Sequence, residues 1–220
     1  MQDCIPVYVS VLYGAVGERL MRVAQQMANG CWYFSVLPFV GLSQDLSCPN
    51  GTLLVLDKPS GRKDVHVLLS MGTHELKLGE DRCVLIPFGN GDSGLRAALI
   101  GIQMAKQLNL SVVFYHTTWR KPEVVGLASE DGWNHICDKA LANTESLREL
   151  ATSVGVESRF FIEIAAPTVK GGIIGAALRK RATMIVMARG SEIRTGSYVD
   201  QVAGCSPVPL FIVANEKKES

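Results

Sequence analysis

Apolar and polar positions along this chain fall into blocks whose lengths suit strands and helices in turn. PVYVSVLY at 6–13 is a β-rich run; Gly14 and Gly17 punctuate the entry to an amphipathic stretch, ERLMRVAQQMA, which Gly30 ends. CWYFSVLPFV at 31–40 reads as a buried strand closing a β-α-β unit ahead of a loop, SQDLSCPNG. TLLVLD at 52–57 and VHVLLSM at 65–71 are further strands, and the KPSGRK between them predicts a hairpin turn. Polar THELKLGED at 73–81 is the expected linker, dividing the chain into a small α/β segment at 1–80 and a larger domain at 81–220.

The larger domain is organised around CVLIPFGNGDSGLR at 83–96, where an apolar run meets a Gly-Asn-Gly-Asp turn and opens into a helix. In an open α/β sheet such a turn lies at the carboxyl edge of the strands, where ligands bind. The helix carries Leu95, Ala98, Leu99, Ile102 and Ala105 on one expected core face. LSVVFYH at 110–116 is the next strand, Thr117 to Asp131 a loop, and the helix from Trp133 to Val154 repeats apolar residues at Trp133, Ile136, Cys137, Ala140, Leu141, Leu147 and Ala151. RFFIEIA at 159–165, a small-residue helix started by Pro167 and Thr168, and the strands TMIVMA at 183–188 and PLFIVA at 209–214 complete the alternation. Alternating strands and helices predict a parallel, doubly wound sheet.

The first unit looks like an imperfect copy of the second. Arg19 and Gln26-Met27-Ala28 have the mutual spacing of Arg96 and Gln103-Met104-Ala105, each group in a helix flanked by strands. The pattern suggests an old duplication.

Composition removes several function classes. With 22 basic and 21 acidic residues the net charge is +1, so no nucleic-acid partner is expected. Cys4, Cys31, Cys48, Cys83, Cys137 and Cys205 are scattered without a C-x-x-C pair, a pattern of reduced core thiols in a cytoplasmic protein and not of a zinc site or disulfide framework. The most apolar stretches, 31–42 and 169–178, fall short of the roughly 18 to 20 residues that span a bilayer. No basic and apolar signal segment opens the chain.

Motif by motif, enzyme chemistry finds little support. Gly91-Asp92-Ser93-Gly94 copies the GDSG of trypsin-like proteases, but here it opens a helix, with Asp92 or Ser93 as the natural cap. His66, His74, His116 and His135 lack metal-ligand spacing, and only His116, at a strand end, stands near the ligand edge. Trp32, Trp119 and Trp133 are isolated. No paired carboxylates and no nucleophile with its base stand out, so no catalytic or metal residues are expected.

Residues 83–215 resemble the universal stress protein family. The resemblance rests on VLIPFGNGDSGLRAA, AKQLNLSVVFYH, a long helix before VESRFFIEIAAP, ATMIVMARGS, the triplet Arg194-Thr195-Gly196, and CSPVPLFIVAN. It implies a five-stranded parallel sheet of order 3-2-1-4-5 flanked by helices, and a homodimer through the last strand. Members that bind ATP carry an Asp after the first strand and a G-x-x-G-x9-G-[S/T] phosphate loop after the fourth. Here Gly89 matches that Asp, with Asp92 three residues later, and the loop from Met187 to Ser197 keeps Gly190 and Gly196 at a different spacing, as if the final Gly-Ser pair were deleted. The residues matching a nucleotide site are therefore Gly89, Asn90, Gly91, Asp92, Arg189, Gly190, Arg194, Thr195, Gly196 and Ser197. Glycines at a tight turn and solvated arginines are the plainer account of the same residues. The departures weigh against ATP as a cofactor.

The resemblance implies a non-enzymatic regulatory or dimerisation module, expected as the cytoplasmic domain of a membrane transporter in the same or another chain. The alternative is a free cytoplasmic stress-response protein that binds ATP or another adenine nucleotide.

Overall fold

Runs rich in Val, Ile, Leu and Phe form strands, and the stretches between them with apolar residues every three or four positions form helices. The computed structural model describes residues 5–11, 22, 25, 32–38, 53–56, 66–69, 76–88, 92–119, 130–189 and 198–214. In chain order these hold β1 (Ile5–Val11), β2 (Trp32–Pro38), β3 (Leu53–Leu56), β4 (His66–Leu69), β5 (Cys83–Pro87), α1 (Asp92–Leu108), β6 (Ser111–Trp119), α2 (Glu130–Ser153), β7 (Ser158–Ala166), α3 (Val169–Arg179), β8 (Ala182–Ala188), α4 (Tyr198–Ala203) and β9 (Leu210–Val213). Two compact units result, one from residues 1–77 with 187–220 and the other from 78–186. Among the described residues no helix is long and apolar enough to cross a membrane.

The unit of 78–186 is a parallel sheet with strands in the order β8-β5-β6-β7. β5 is buried along nearly its whole length, as a central parallel strand must be. Phe114, Tyr115, Leu85, Ile86, Met184 and Ile185 fill the core. The expected face of α1 is partly corrected. Ala98, Ile102 and Ala105 are buried with Ala97 and Met104, whereas Leu95 and Leu99 are exposed. The reason is close approach: a Cβ on Gly101 would lie 2.5 Å from Ile86 Cδ1, so the helix settles on its small residues and turns the two leucines outward. In α2, Leu147 and Ala151 are buried as expected, Leu141 is exposed, and Thr144 takes an inward position by bonding its hydroxyl to Leu141 O at 2.8 Å.

Tight links hold these elements in register. After α1, Asn109 adopts φ +53° and Leu110 N–H donates to Ala105 O at 2.8 Å. Gly155, at φ +79°, closes α2 in the same way, with Val156 N–H donating to Ala151 O at 2.8 Å. Thr168 caps α3, its Oγ1 accepting from Gly171 N–H at 2.9 Å, as Pro167-Thr168 predicts. The predicted loop at 117–131 shortens, because β6 runs on to Trp119 and α2 opens at Glu130.

The other unit places its strands in the order β2-β1-β3-β4-β9. β1 pairs in parallel with β2 on one side and β3 on the other. Arg22 and Gln25, between β1 and β2, are helical, in keeping with the β-α-β reading. The hairpin expected between β3 and β4 is corrected: the two strands are parallel, with Leu53 opposite His66 and Leu56 opposite Leu69. A parallel pair needs a crossover and not a reversing turn. β4 then pairs antiparallel with β9, Val67 opposite Ile212 and Leu69 opposite Leu210. The last strand, expected to present its edge to a second chain, thus has β4 of its own chain along it.

Candidate functional site

In the unit of 78–186 the carboxyl ends of β5 and β6 are fastened together past their regular register. Phe88 N–H donates to Tyr115 O at 2.8 Å, and Phe88 O accepts from His116 Nδ1 at 3.0 Å. The two rings also lie against each other, tilted, with centroids 6.2 Å apart. A carbonyl can only accept, so the neutral His116 ring carries its proton on Nδ1 and keeps the Nε2 lone pair. Four residues beyond Phe88, α1 opens at Asp92, so its unsatisfied first-turn amides start from a fixed strand end. Arg96, in the second turn of α1, holds its Nε buried without a hydrogen-bond partner.

A polar network lies between β6, β7 and α3 in the same unit. Tyr115 donates its hydroxyl to Glu163 Oε2 at 2.6 Å, and Arg179 donates to the same oxygen at 2.9 Å. Burial first, and then the bond to Glu163, push the Tyr115 hydroxyl well above its ordinary pKa, so it acts as a donor and not as a base. Arg179 and Lys180 lie over the Phe161 ring, 5.6 and 4.1 Å from its centroid. The shared Glu163 carboxylate ties Tyr115 of β6 to Arg179 of α3, which suits bracing of β6 against β7 and α3.

Cys83 is buried, and its thiol donates to Lys180 O at 3.3 Å; burial pushes its pKa up to about 11, so it is no nucleophile at neutral pH. Cys205, in contrast, is exposed, which corrects the reading of all six thiols as core residues. Among the described residues no group of three or more His, Cys, Asp or Glu is placed to hold a metal ion.

In the unit that contains residues 187–220, Arg189 directly follows β8. Its side chain is only 8% exposed and pairs with Asp200 Oδ1 of α4 at 3.2 Å, so it is not the solvated arginine of the plainer account. α4 opens at Tyr198, immediately after Gly196-Ser197. Of the ten residues matched to a nucleotide site, Arg189 is placed as above and Asp92 is placed as the first residue of α1. Gly89, Asn90, Gly91, Gly190, Arg194, Thr195, Gly196 and Ser197 lie outside the described residues. Sequence reasoning missed Arg96 as a site residue, although the repeat that pairs it with Arg19 had singled it out.

The fold so defined is that of the universal stress proteins. Over 61% of this chain and 99% of its own length, the universal stress protein UspA from Lactobacillus plantarum superposes with a TM-score of 0.51 at 15% identity. A universal stress protein solved in complex with cAMP matches at a TM-score of 0.51 and 20% identity, over 61% of this chain and 98% of its own. A universal stress protein from Archaeoglobus fulgidus matches at 0.66 and 16% identity over 98% of this chain and 100% of its own, so the likeness extends across the first 80 residues as well. No protein-family model matches the sequence. No curated protein matches it either.

Proposed function

We propose that this chain is a non-catalytic regulatory module of the universal stress protein type that takes an adenine nucleotide at the carboxyl end of β5 and β6. The observation that carries the reading is the start of α1 four residues beyond that fastened edge, with the buried Arg96 Nε left as an unused donor in its second turn. Helix-start amides and a guanidinium suit a phosphate, and the Nε2 lone pair of His116 suits the exocyclic amine of adenine. The protein of the same fold solved with cAMP supports the ligand class. On this reading the module acts by being occupied or empty. Attachment to a membrane transporter, in the same or another chain, is the other arrangement open to such a module.

Calorimetric titration with ATP, ADP, AMP and cAMP in the presence of magnesium tests this. The expected result is saturable, one-to-one binding of at least one of the four in the micromolar range, about tenfold weaker in Arg96→Ala, with no phosphate released on prolonged incubation. A charge-assisted hydrogen bond of about 1.5 kcal/mol corresponds to that tenfold loss. Absence of heat with all four nucleotides would overturn the ligand assignment, and steady phosphate release would overturn the non-catalytic one.

A further inference from the structure

The residues ahead of β5 repeat the arrangement that follows it. β1 is flanked in parallel by β2 and β3, as β5 is flanked in parallel by β6 and β8. Arg19 and Gln26-Met27-Ala28 recur 77 residues later as Arg96 and Gln103-Met104-Ala105, and adding the same interval to β1 lands on β5. Among the described residues, β3 is the next strand of the first run after β2. β4 closes the first run of strands and β9 closes the second, and these two pair antiparallel.

Equivalent strands running antiparallel side by side have the relation of an isologous contact, in which the same edge of two copies meets itself. The seam is fully core-like: Val67, Leu68, Leu210 and Phe211 have no exposed surface, and Ile212 retains 2%. A solved structure of the same fold covers 98% of the chain, so the likeness takes in the residues of both runs.

From this juxtaposition we infer that residues 1–77 are a reduced second copy of the fold, and that β4 occupies the β9 edge where an identical chain would otherwise pair. The partner of β9 is internal. An unpaired strand edge recruits any matching strand, and here the chain supplies its own at an effective concentration that a separate molecule cannot match. The chain is accordingly self-contained at β9 and does not join a second copy through it.

The test uses the full chain. Val67 and Ile212 face each other across the seam, so the V67C/I212C variant is oxidised, digested without reduction and mapped by mass spectrometry. The expected product is a cross-link between positions 67 and 212 within one chain, on a particle with the mass of one chain. A reducible dimer joined 67 to 212 between chains, or one joined at β9 in the single variant I212C, would overturn the inference. Hydrogen exchange on the native chain provides a readout that needs no substitution. Amides of Val67–Leu69 and Leu210–Val213 are expected to open together, with protection independent of protein concentration. Protection of β9 that rises with concentration would show an intermolecular partner.

Discussion

Gly172→Ala lowers the stability of the protein by about 2–3 kcal/mol, although alanine is the better helix former. Gly172 is buried in α3, and a Cβ there would overlap the Tyr115 hydroxyl and lie 3.0 Å from Ala166 Cβ and 3.4 Å from Glu163 Oε2. The Tyr115 ring cannot withdraw without giving up its 2.6 Å bond to Glu163. Helix propensity returns about 1 kcal/mol; overpacking costs about 1–3 kcal/mol, and disruption of the buried hydrogen bond a similar amount. The loss therefore wins. Gly175→Ala, three residues on, is the control: its nearest neighbour is Arg179 Nη1 at 2.9 Å, the end of a long side chain that can swing away. Urea unfolding should find Gly175→Ala unchanged or slightly more stable. Adding Tyr115→Phe to Gly172→Ala should recover part of the loss, because the hydroxyl is the obstacle. A Gly172→Ala protein as stable as the native one would mean that α3 sits further from β6 than described.

Acid weakens the β4–β9 seam through His66. Burial lowers its pKa from 6.5 to about 4, its ring lies 5.6 Å from that of Phe211, and its Nδ1 accepts from Ala214 N–H at 3.1 Å. The imidazole is thus neutral in the fold, and protonation would both charge a buried ring and abolish the acceptor. Because the folded pKa lies below the unfolded one, the stabilisation is fully present above pH 6.5 and is lost as the pH falls towards 4. Its size is at most about 3 kcal/mol. His66→Gln removes the titration, so the native protein should lose about 2–3 kcal/mol more than the variant between pH 7 and pH 4. Equal pH slopes for the two proteins would mean that His66 is solvated or already charged in the fold.

The parts of this fold that were legible in the sequence are the local ones. A β5 run of wholly apolar residues, a Gly-rich turn and a periodic helix specify a strand, its exit and α1 without reference to anything distant. Thr168 after Pro167 likewise announces the start of α3. What local pattern misjudged was which residues lie against the sheet: Leu95 and Leu99 are large apolar positions of the α1 stripe, yet the close packing admitted by Gly101 brings the alanines inward with Ile102 and leaves the two leucines exposed. Strand direction was the larger miss. KPSGRK has a length and composition that suit a hairpin, and nothing in those residues encodes the parallel pairing of β3 with β4, which is decided by the rest of the sheet. The β4–β9 pair joins residues more than 140 positions apart, beyond any local signal. At the candidate site the helix start was visible as GNGDSG, whereas the fastening of Phe88 to His116 and the partnerless Arg96 Nε exist only once β5, β6 and α1 are assembled.

Imidazole nitrogen spectra of His116, recorded with backbone amide spectra during a nucleotide titration, test the central claim most directly. The account predicts that Nδ1 keeps its proton, donated to the Phe88 carbonyl, while the Nε2 signal shifts on saturation. The amides of residues 92–96 should move along the same binding curve. A nucleotide that binds by calorimetry and leaves His116 and the start of α1 unmoved would place the site elsewhere and contradict the account.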